Sequence, residues 1–274
     1  MNTVAQPAER YLDLIEQAGD GLPGRELDWL KTQRGRAAAR FARLGFPSRK
    51  DEAWRYTSLD GLLGQTFVPV SEPFTALDEA DLGDYLVPQQ ESYRLVVANG
   101  RLVPALSRLN GLPHGVTVQS LHAALAATPE RLSGWLGQAA GEGAHAFSAL
   151  NSALVNDGLF VHVAAGCTVD KPIEVLFLST ALDDSILAQP RNLVVLESGA
   201  RATLVERYAS PGDSVYFNNA LVVFTIAALA IWLWLGSMIS VGAIAIAVAL
   251  ALRDGLAPGR SGVPSTKGRL GVDV

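Results

Sequence analysis

Between Phe147 and Asn219 the hydrophobic rhythm of the chain changes, and that change limits what it can fold into. A short helical pattern (Phe147, Leu150, Leu154) gives way to alternation. Leu159, Val161 and Val163 fall on one face, Phe160 and His162 on the other. Ile173, Val175 and Phe177 repeat the pattern, as do Leu193 and Val195, then Ala202, Leu204 and Tyr208 more loosely. Period two in runs this short predicts β-strands. Two corners are alike, Ala165-Gly166-Cys167-Thr168-Val169 and Ser198-Gly199-Ala200-Arg201-Ala202. Each places a glycine where the backbone must turn without a Cβ in the way. Short strands joined this way leave no room for crossover helices, which excludes a βαβ sheet. Stacked β-helix coils and an antiparallel sandwich both remain open.

Charge narrows the partners. The chain has 22 basic and 27 acidic residues, and residues 221–274 hold only four and two of them, so residues 1–220 carry a net of −7. An acidic body lacks the basic face that a nucleic-acid binder needs, and no nucleic acid is expected. Cys167 is the one cysteine, which excludes an internal disulfide. The first thirty residues lack the order of a signal peptide, so the body is expected in the cytoplasm.

Ahead of the strands, residues 7–18 and 25–44 have helical spacing. In the second, Leu27, Leu30, Ala37, Phe41 and Leu44 form the apolar stripe and Lys31, Arg34 and Arg40 are expected to face water. Gly45 and Pro47 end it. A polar loop follows, expected to be pinned by Trp54 and Tyr56. Residues 66–92, rich in proline and acid, read as an exposed connection. Arg94 to Leu106 is a hairpin, with Asn99-Gly100 supplying two positive φ angles. Residues 118–140 and 144–155 read as helices.

Five segments in this order resemble the SufD branch of the SufB/SufD family, components of the scaffold that assembles iron–sulfur clusters. They are Phe46-Pro-Ser-Arg-Lys-Asp-Glu-Ala-Trp-Arg-Tyr-Thr-Ser-Leu59, Val97-Ala-Asn-Gly-Arg-Leu-Val-Pro-Ala-Leu-Ser107, Phe147-Ser-Ala-Leu-Asn-Ser-Ala-Leu154, Pro190-Arg-Asn-Leu-Val-Val-Leu196 and Tyr216-Phe-Asn-Asn-Ala220, with Gly199-Ala200 between the last two. The resemblance covers about residues 8–220. It implies an α+β chain: a helical N-terminal domain (1–92), a hairpin and helices leading into the core (93–157), and a right-handed parallel β-helix, truncated here (158–220). It also implies a scaffold without enzymatic activity that works with SufB and the ATPase SufC. Their binding regions belong to the family's C-terminal half, which this chain is expected to lack. The cluster is handled by the full complex, and no cofactor is expected on this chain alone.

The resemblance stops at Ala220. Leu221 to Leu252 is a run of thirty-two residues without a charge. About twenty apolar residues suffice to span a bilayer. Alternation is absent and alanine and leucine are plentiful, so a transmembrane-type helix is expected, as a kinked span or a hairpin breaking at Gly236-Ser237, with Trp232 and Trp234 as interfacial residues. Ile231-Trp-Leu-Trp-Leu-Gly236 and Ile239-Ser-Val-Gly-Ala-Ile-Ala245 resemble the closing membrane segments of an ABC exporter permease. That gives an alternative reading as a membrane or transport protein. A helix cannot continue a ladder of strand hydrogen bonds, so the strand stack is expected to end near 220 with an open edge. The abrupt change of pattern favours a joined reading frame there, and residues 253–274 read as a disordered tail.

No catalytic constellation is present: no P-loop, no H-E-x-x-H, no G-x-S-x-G and no paired cysteines. Gly141-Glu-Gly143-Ala-His-Ala146 follows a helical pattern rather than a strand, which disqualifies it as a dinucleotide fingerprint. An iron–sulfur cluster needs about four thiolate or histidine ligands, against one cysteine and four scattered histidines here. Cys167 is therefore read as a corner filler and His162 as a packing or exposed histidine. Glu174, Asp183, Asp184 and Glu197 are not spaced as the carboxylate cluster of a β-helix polysaccharide enzyme. Catalytic, cofactor and metal residues are all expected to be none.

Overall fold

A computed structural model describes residues 5–70, 77–87, 91–136, 145–180, 185–210 and 215–226, and the backbone of 241–251. The fold is α+β. Among the described residues six helices, α1 (Ala5–Ala18), α2 (Asp28–Leu44), α3 (Asp60–Leu63), α4 (Leu121–Ala127), α5 (Pro129–Leu136) and α6 (Ala146–Ala153), accompany two mostly parallel sheets. The first sheet runs β1 (Val68–Pro69), β7 (Ile186–Ala188), β10 (Tyr216–Ile226), β8 (Arg191–Leu196), β5 (Leu159–Val163), β4 (Val116–Ser120), with β11 (Val241–Ala251) also on β10. The second runs β3 (Arg101–Leu102), β2 (Tyr93–Ala98), β6 (Ile173–Leu178), β9 (Leu204–Ala209).

Parallel pairing settles one of the open alternatives. Phe160 lies opposite Leu193 and Leu193 opposite Val223, while Ile173 lies opposite Leu204 and Ile186 opposite Tyr216. Each strand meets the one about thirty residues further along, in the same direction. That is no antiparallel sandwich. The two glycine corners lie one above the other: Gly166 and Gly199 both have φ of 70°, and the Gly166 N–H donates to Ser198 O at 2.8 Å. Alternation reads as expected too. Leu159, Val161 and Val163 enter the core between the sheets with Val175, Phe177 and Val222. Phe160, Leu193 and Val195 face outward, under Leu30 of α2 and the apolar stripes of α4 and α5.

Other expectations change. Residues 116–120, expected in part to be helix, form β4, antiparallel to β5. The helix starts only at Leu121, where Ser120 Oγ accepts the Ala123 N–H, and it breaks at Thr128-Pro129. Arg34 does not face water; it is 9% exposed and donates to Pro23 O and Val155 O, both at 2.7 Å. Tyr56 pins nothing, being 92% exposed, whereas Trp54 does pack, 5.2 Å from the Phe147 ring. The hairpin at Asn99-Gly100 forms with φ of 50° and 83°. Residues 66–92 are not wholly exposed, since Phe67 and Leu82 are buried.

The largest correction concerns the uncharged run. Leu221 to Ile226 are not helical but continue β10, paired with β8, and Val241–Ala251 is a strand laddered antiparallel to β10 along its whole length. The strand stack therefore does not end at 220. No helix among the described residues is long and apolar enough to cross a membrane. Alternation in β11 is of size rather than polarity. Ile244, Ile246, Val248 and Leu250 occupy one parity, opposite Val223, Leu221, Asn219 and Phe217, and alanines occupy the other. A polarity rhythm cannot show a strand whose two faces are both apolar. Residues 227–240, with Trp232, Trp234 and Gly236-Ser237, and the tail 253–274 lie outside the described residues.

Gly158 is where the stack is tightest. Its φ is 143°, and a Cβ there would lie 2.1 Å from Arg191 O. Gly158→Ala should cost at least about 3 kcal/mol, because the obstacle is backbone and cannot swing aside. Gly166→Ala, with open space around it, should cost only about 1–2 kcal/mol for its left-handed conformation. Denaturant melts of the two variants check this; equal losses would show that the close approach at 158 is not what the fold depends on.

Candidate functional site

His162 lies on the outer face of β5, one residue before its end, and the parallel partner β8 ends one residue before Glu197. The pairing brings the two side chains together, His162 Nε2 to Glu197 Oε1 at 2.8 Å. The other carboxylate oxygen accepts the Ala165 N–H at 3.1 Å. The His162 hydrogen bond, then that backbone N–H, hold the Glu197 carboxyl below its ordinary range. From α5, the Trp135 ring stacks 6.1 Å from His162 and from Phe160, and Arg131 Nη2 stands 3.4 Å from the same His162 nitrogen. Arg131 can donate only to a bare Nε2, whereas Glu197 can accept only from Nε2–H. The shorter contact assigns the proton to the Glu197 side.

A histidine oriented by a carboxylate supplies two members of a nucleophilic triad, but among the described residues no nucleophile is seated on it. Cys167 Sγ turns instead to His114 O at 3.6 Å, and the side chain is half-buried against the inner core, which is corner filling. Glu174 is far from this pair in the fold, on the second sheet, where it accepts the Val87 N–H and the Ser92 hydroxyl. Asp183 and Asp184, and residues 141–144 of the glycine motif, lie outside the described residues. Among the described residues no three His, Cys, Asp or Glu side chains are grouped to hold a metal ion.

A second cluster was not legible as a site. Asn151 and Ser152 of α6, Gln189 and Arg191 beside and in β8, and Asn219 of β10 meet in the interior, none more than 8% exposed. Arg191 donates from Nε to Asn151 Oδ1 at 2.7 Å and from Nη2 to Ser152 Oγ at 2.6 Å. Asn151 Nδ2 donates to Pro190 O and Asn219 O, and Asn219 Nδ2 to Phe147 O and Gln189 Oε1. No carboxylate faces the guanidinium in these contacts, and burial lowers its pKa to about 9. The signal for this cluster was present as polar residues inside otherwise apolar runs, in three of the five segments carrying the family resemblance. The adjoining cavity, lined by Asn99, Arg101, Asp157 and Gln189, holds about 40 Å3, room for water rather than a cofactor. The cluster fastens α6 to two successive turns of the sheet.

At the end of the second sheet Glu206 points inward. Asn192 and Tyr208 donate to it at 3.4 and 3.3 Å, and burial pushes its carboxyl up.

The family described as the SufBD protein N-terminal region matches residues 5–175. An iron–sulfur cluster assembly SufBD family protein of Synechocystis is 35% identical over 204 residues, covering 72% of this chain and 44% of the relative. The iron–sulfur cluster assembly protein SufD of Escherichia coli is 28% identical over 191 residues, 69% of this chain and 41% of its own length. A chloroplastic SufBD family protein of Arabidopsis thaliana is 26% identical over 210 residues, 72% and 37%. The chain spans less than half the length of these curated relatives.

Glu206 gives a pH test. Its folded pKa is raised, so the native state binds the proton more readily than the unfolded chain. Stability is then lost as pH rises from the ordinary carboxylate range, about 4.3, through the folded value. Glu206→Gln should melt about 2–4 °C above the parent at neutral pH and match it near pH 4. Melts at both pH values check this, and an offset independent of pH would show that ionisation is not its cause.

Proposed function

The chain belongs to the SufBD family, and on that premise we propose that it is a SufD-like component of iron–sulfur cluster assembly that contributes a scaffold rather than a reaction. The family match across residues 5–175 carries this reading. It is supported by the meeting of three family-like segments in one buried polar cluster, where their polar residues hold α6 to the sheet. The parallel pairing at intervals of about thirty residues supports a right-handed parallel β-helix from residue 158 onward. Residues 1–92 form the helical domain that precedes it and 93–157 the link, although β1 and β2 already lend strands to the sheets.

In this reading the cluster is cargo. Cys167 is the one thiol, and its place in the corner offers no second soft ligand. The chain's expected partners are SufB and, through the whole assembly, the ATPase SufC. In this reading the surface that captures SufC lies in the family's C-terminal half, beyond the matched residues 5–175.

Two measurements bear on this. Disrupting the gene should lower the activity of iron–sulfur enzymes such as aconitase under iron limitation, and unchanged activity would remove the assembly role. The purified chain, reconstituted anaerobically with ferrous iron and sulfide, should hold no stable cluster and should behave identically as Cys167→Ala. A visible absorbance that disappears in that variant would assign Cys167 as a ligand.

A further inference from the structure

Positive charge is concentrated in one place. Between Trp29 and Leu59 lie eight of the chain's 22 Lys and Arg residues and two of its 27 Asp and Glu, a net of six positive charges in a protein whose total is −5. Arg34 is buried and does structural work. Arg36, Arg40 and Arg43 follow one another at helical spacing of four and three along α2, away from the buried stripe of Leu30, Ala37 and Phe41. The loop after Gly45 adds Arg49, Lys50 and Arg55, all exposed.

Arg43 lies in the last turn of α2 and complements the helix dipole, and that accounts for it alone. The ion pairs of the described residues involve neither Arg36 and Arg43 nor Arg49, Lys50 and Arg55. The loop's carboxylates do not neutralise it: Asp51 is engaged by the Ser48 N–H at 2.7 Å, which shapes the turn. Beside these cations stands Tyr56, 92% exposed and the most exposed large hydrophobic side chain among the described residues, with the Arg55 guanidinium 5.8 Å from its ring centre. The loop backbone explains Phe46, Trp54 and Leu59, which enter the core, and leaves Arg49, Lys50, Arg55 and Tyr56 without a role in folding.

We propose that the outer face of α2 and the loop from Ser48 to Thr57 form a docking surface for an acidic protein segment. Arg and Tyr are the residues that protein interfaces favour, and isolated positive charge on an acidic body steers a negative partner to one place. An extended polyanion is the poorer fit. A nucleic-acid strand longer than the patch would meet a protein of net charge −5, whereas a short acidic segment need meet only the patch. A lipid surface would want several apolar side chains to insert, and the loop offers one tyrosine. The proposal stands on charge and exposure and does not depend on the role in cluster assembly.

The test is fluorescence anisotropy of the full chain with a labelled twelve-residue Glu/Ser peptide, at low and raised salt. Replacing Arg36, Arg43, Arg49, Lys50 and Arg55 together by Ser should weaken binding by about tenfold at low salt and flatten its salt dependence. Exchanging the four arginines for Lys should preserve it. Tyr56→Ala should weaken it about fivefold with the salt dependence intact. All positions are exposed, so thermal melts of the variants should match the parent. Equal peptide affinity in the parent and the five-fold Ser variant overturns the proposal. So does tighter binding of a single-stranded oligonucleotide of equal charge, or of phosphatidylserine vesicles, than of the peptide.

Discussion

Arg191 is the residue on which the two halves of this structure depend. Its backbone presses against Gly158: the Arg191 N–H donates to Asp157 O at 2.9 Å, and its carbonyl occupies the space a side chain at 158 would need. That contact sets the distance between one turn of the strand stack and the next, and so the register in which Phe160 meets Leu193. The side chain reaches the other way, to Asn151 and Ser152, and fixes α6 against the same turn. Helix and sheet are thus positioned by one residue. A leucine in its place would fill less of the space and leave the Asn151 and Ser152 oxygens without the guanidinium donors, at about 1–3 kcal/mol each.

The cost of such an arrangement is desolvation. Burying a cation without a carboxylate forfeits hydration worth several kcal/mol, and only neutral oxygens offset it. The fold tolerates this because the acceptors are held by their own bonds, Asn151 to two carbonyls and Asn219 to Phe147 and Gln189. Directional hydrogen bonds of this kind specify one arrangement more sharply than apolar packing of equal area, although Gln189 Nε2 and Asn219 Oδ1 are buried without a partner. Specificity of arrangement is what a scaffold requires. The His162–Glu197 pair follows the same logic nearer the surface, where Trp135 and Arg131 fasten α5 to the sheet.

Much of this was legible where one physical rule acts without competition. Glycine at 166 and 199, and Asn99-Gly100, announce backbone conformations that other residues avoid, and those turns form where expected. Polar alternation located β5, β6 and β8. The rule failed where two signals shared a residue type. Val116–Ser120 leads straight into α4, and its last residue serves as the helix cap, so the helical pattern absorbed the strand. Arg34 sits at a core position of α2 because its guanidinium finds carbonyls from two other segments, a tertiary fact that no helical wheel contains. The buried cluster was hidden for the same reason: Asn151, Arg191 and Asn219 are far apart in sequence, and each is unremarkable in its own run.

The uncharged run after Ala220 changes how the end of the stack is read. In the first sheet the edge of β10 is covered by β11 across eleven paired positions, so its backbone groups are not left open. In the second sheet β9 is the outermost described strand. There Glu206 points inward among Asn192 and Tyr208, and Arg207 follows it along the strand. An inward charge is tolerable at an edge, where water or a local hydrogen bond can reach it. It becomes expensive once another strand covers it, which is how exposed edges discourage indiscriminate pairing. The two strands therefore differ: β10 meets a ladder of backbone hydrogen bonds, and β9 carries an inward carboxyl. On the next two strands the same row is apolar, Leu95 and Val175, so the carboxyl of Glu206 is peculiar to β9 among the described strands of this sheet.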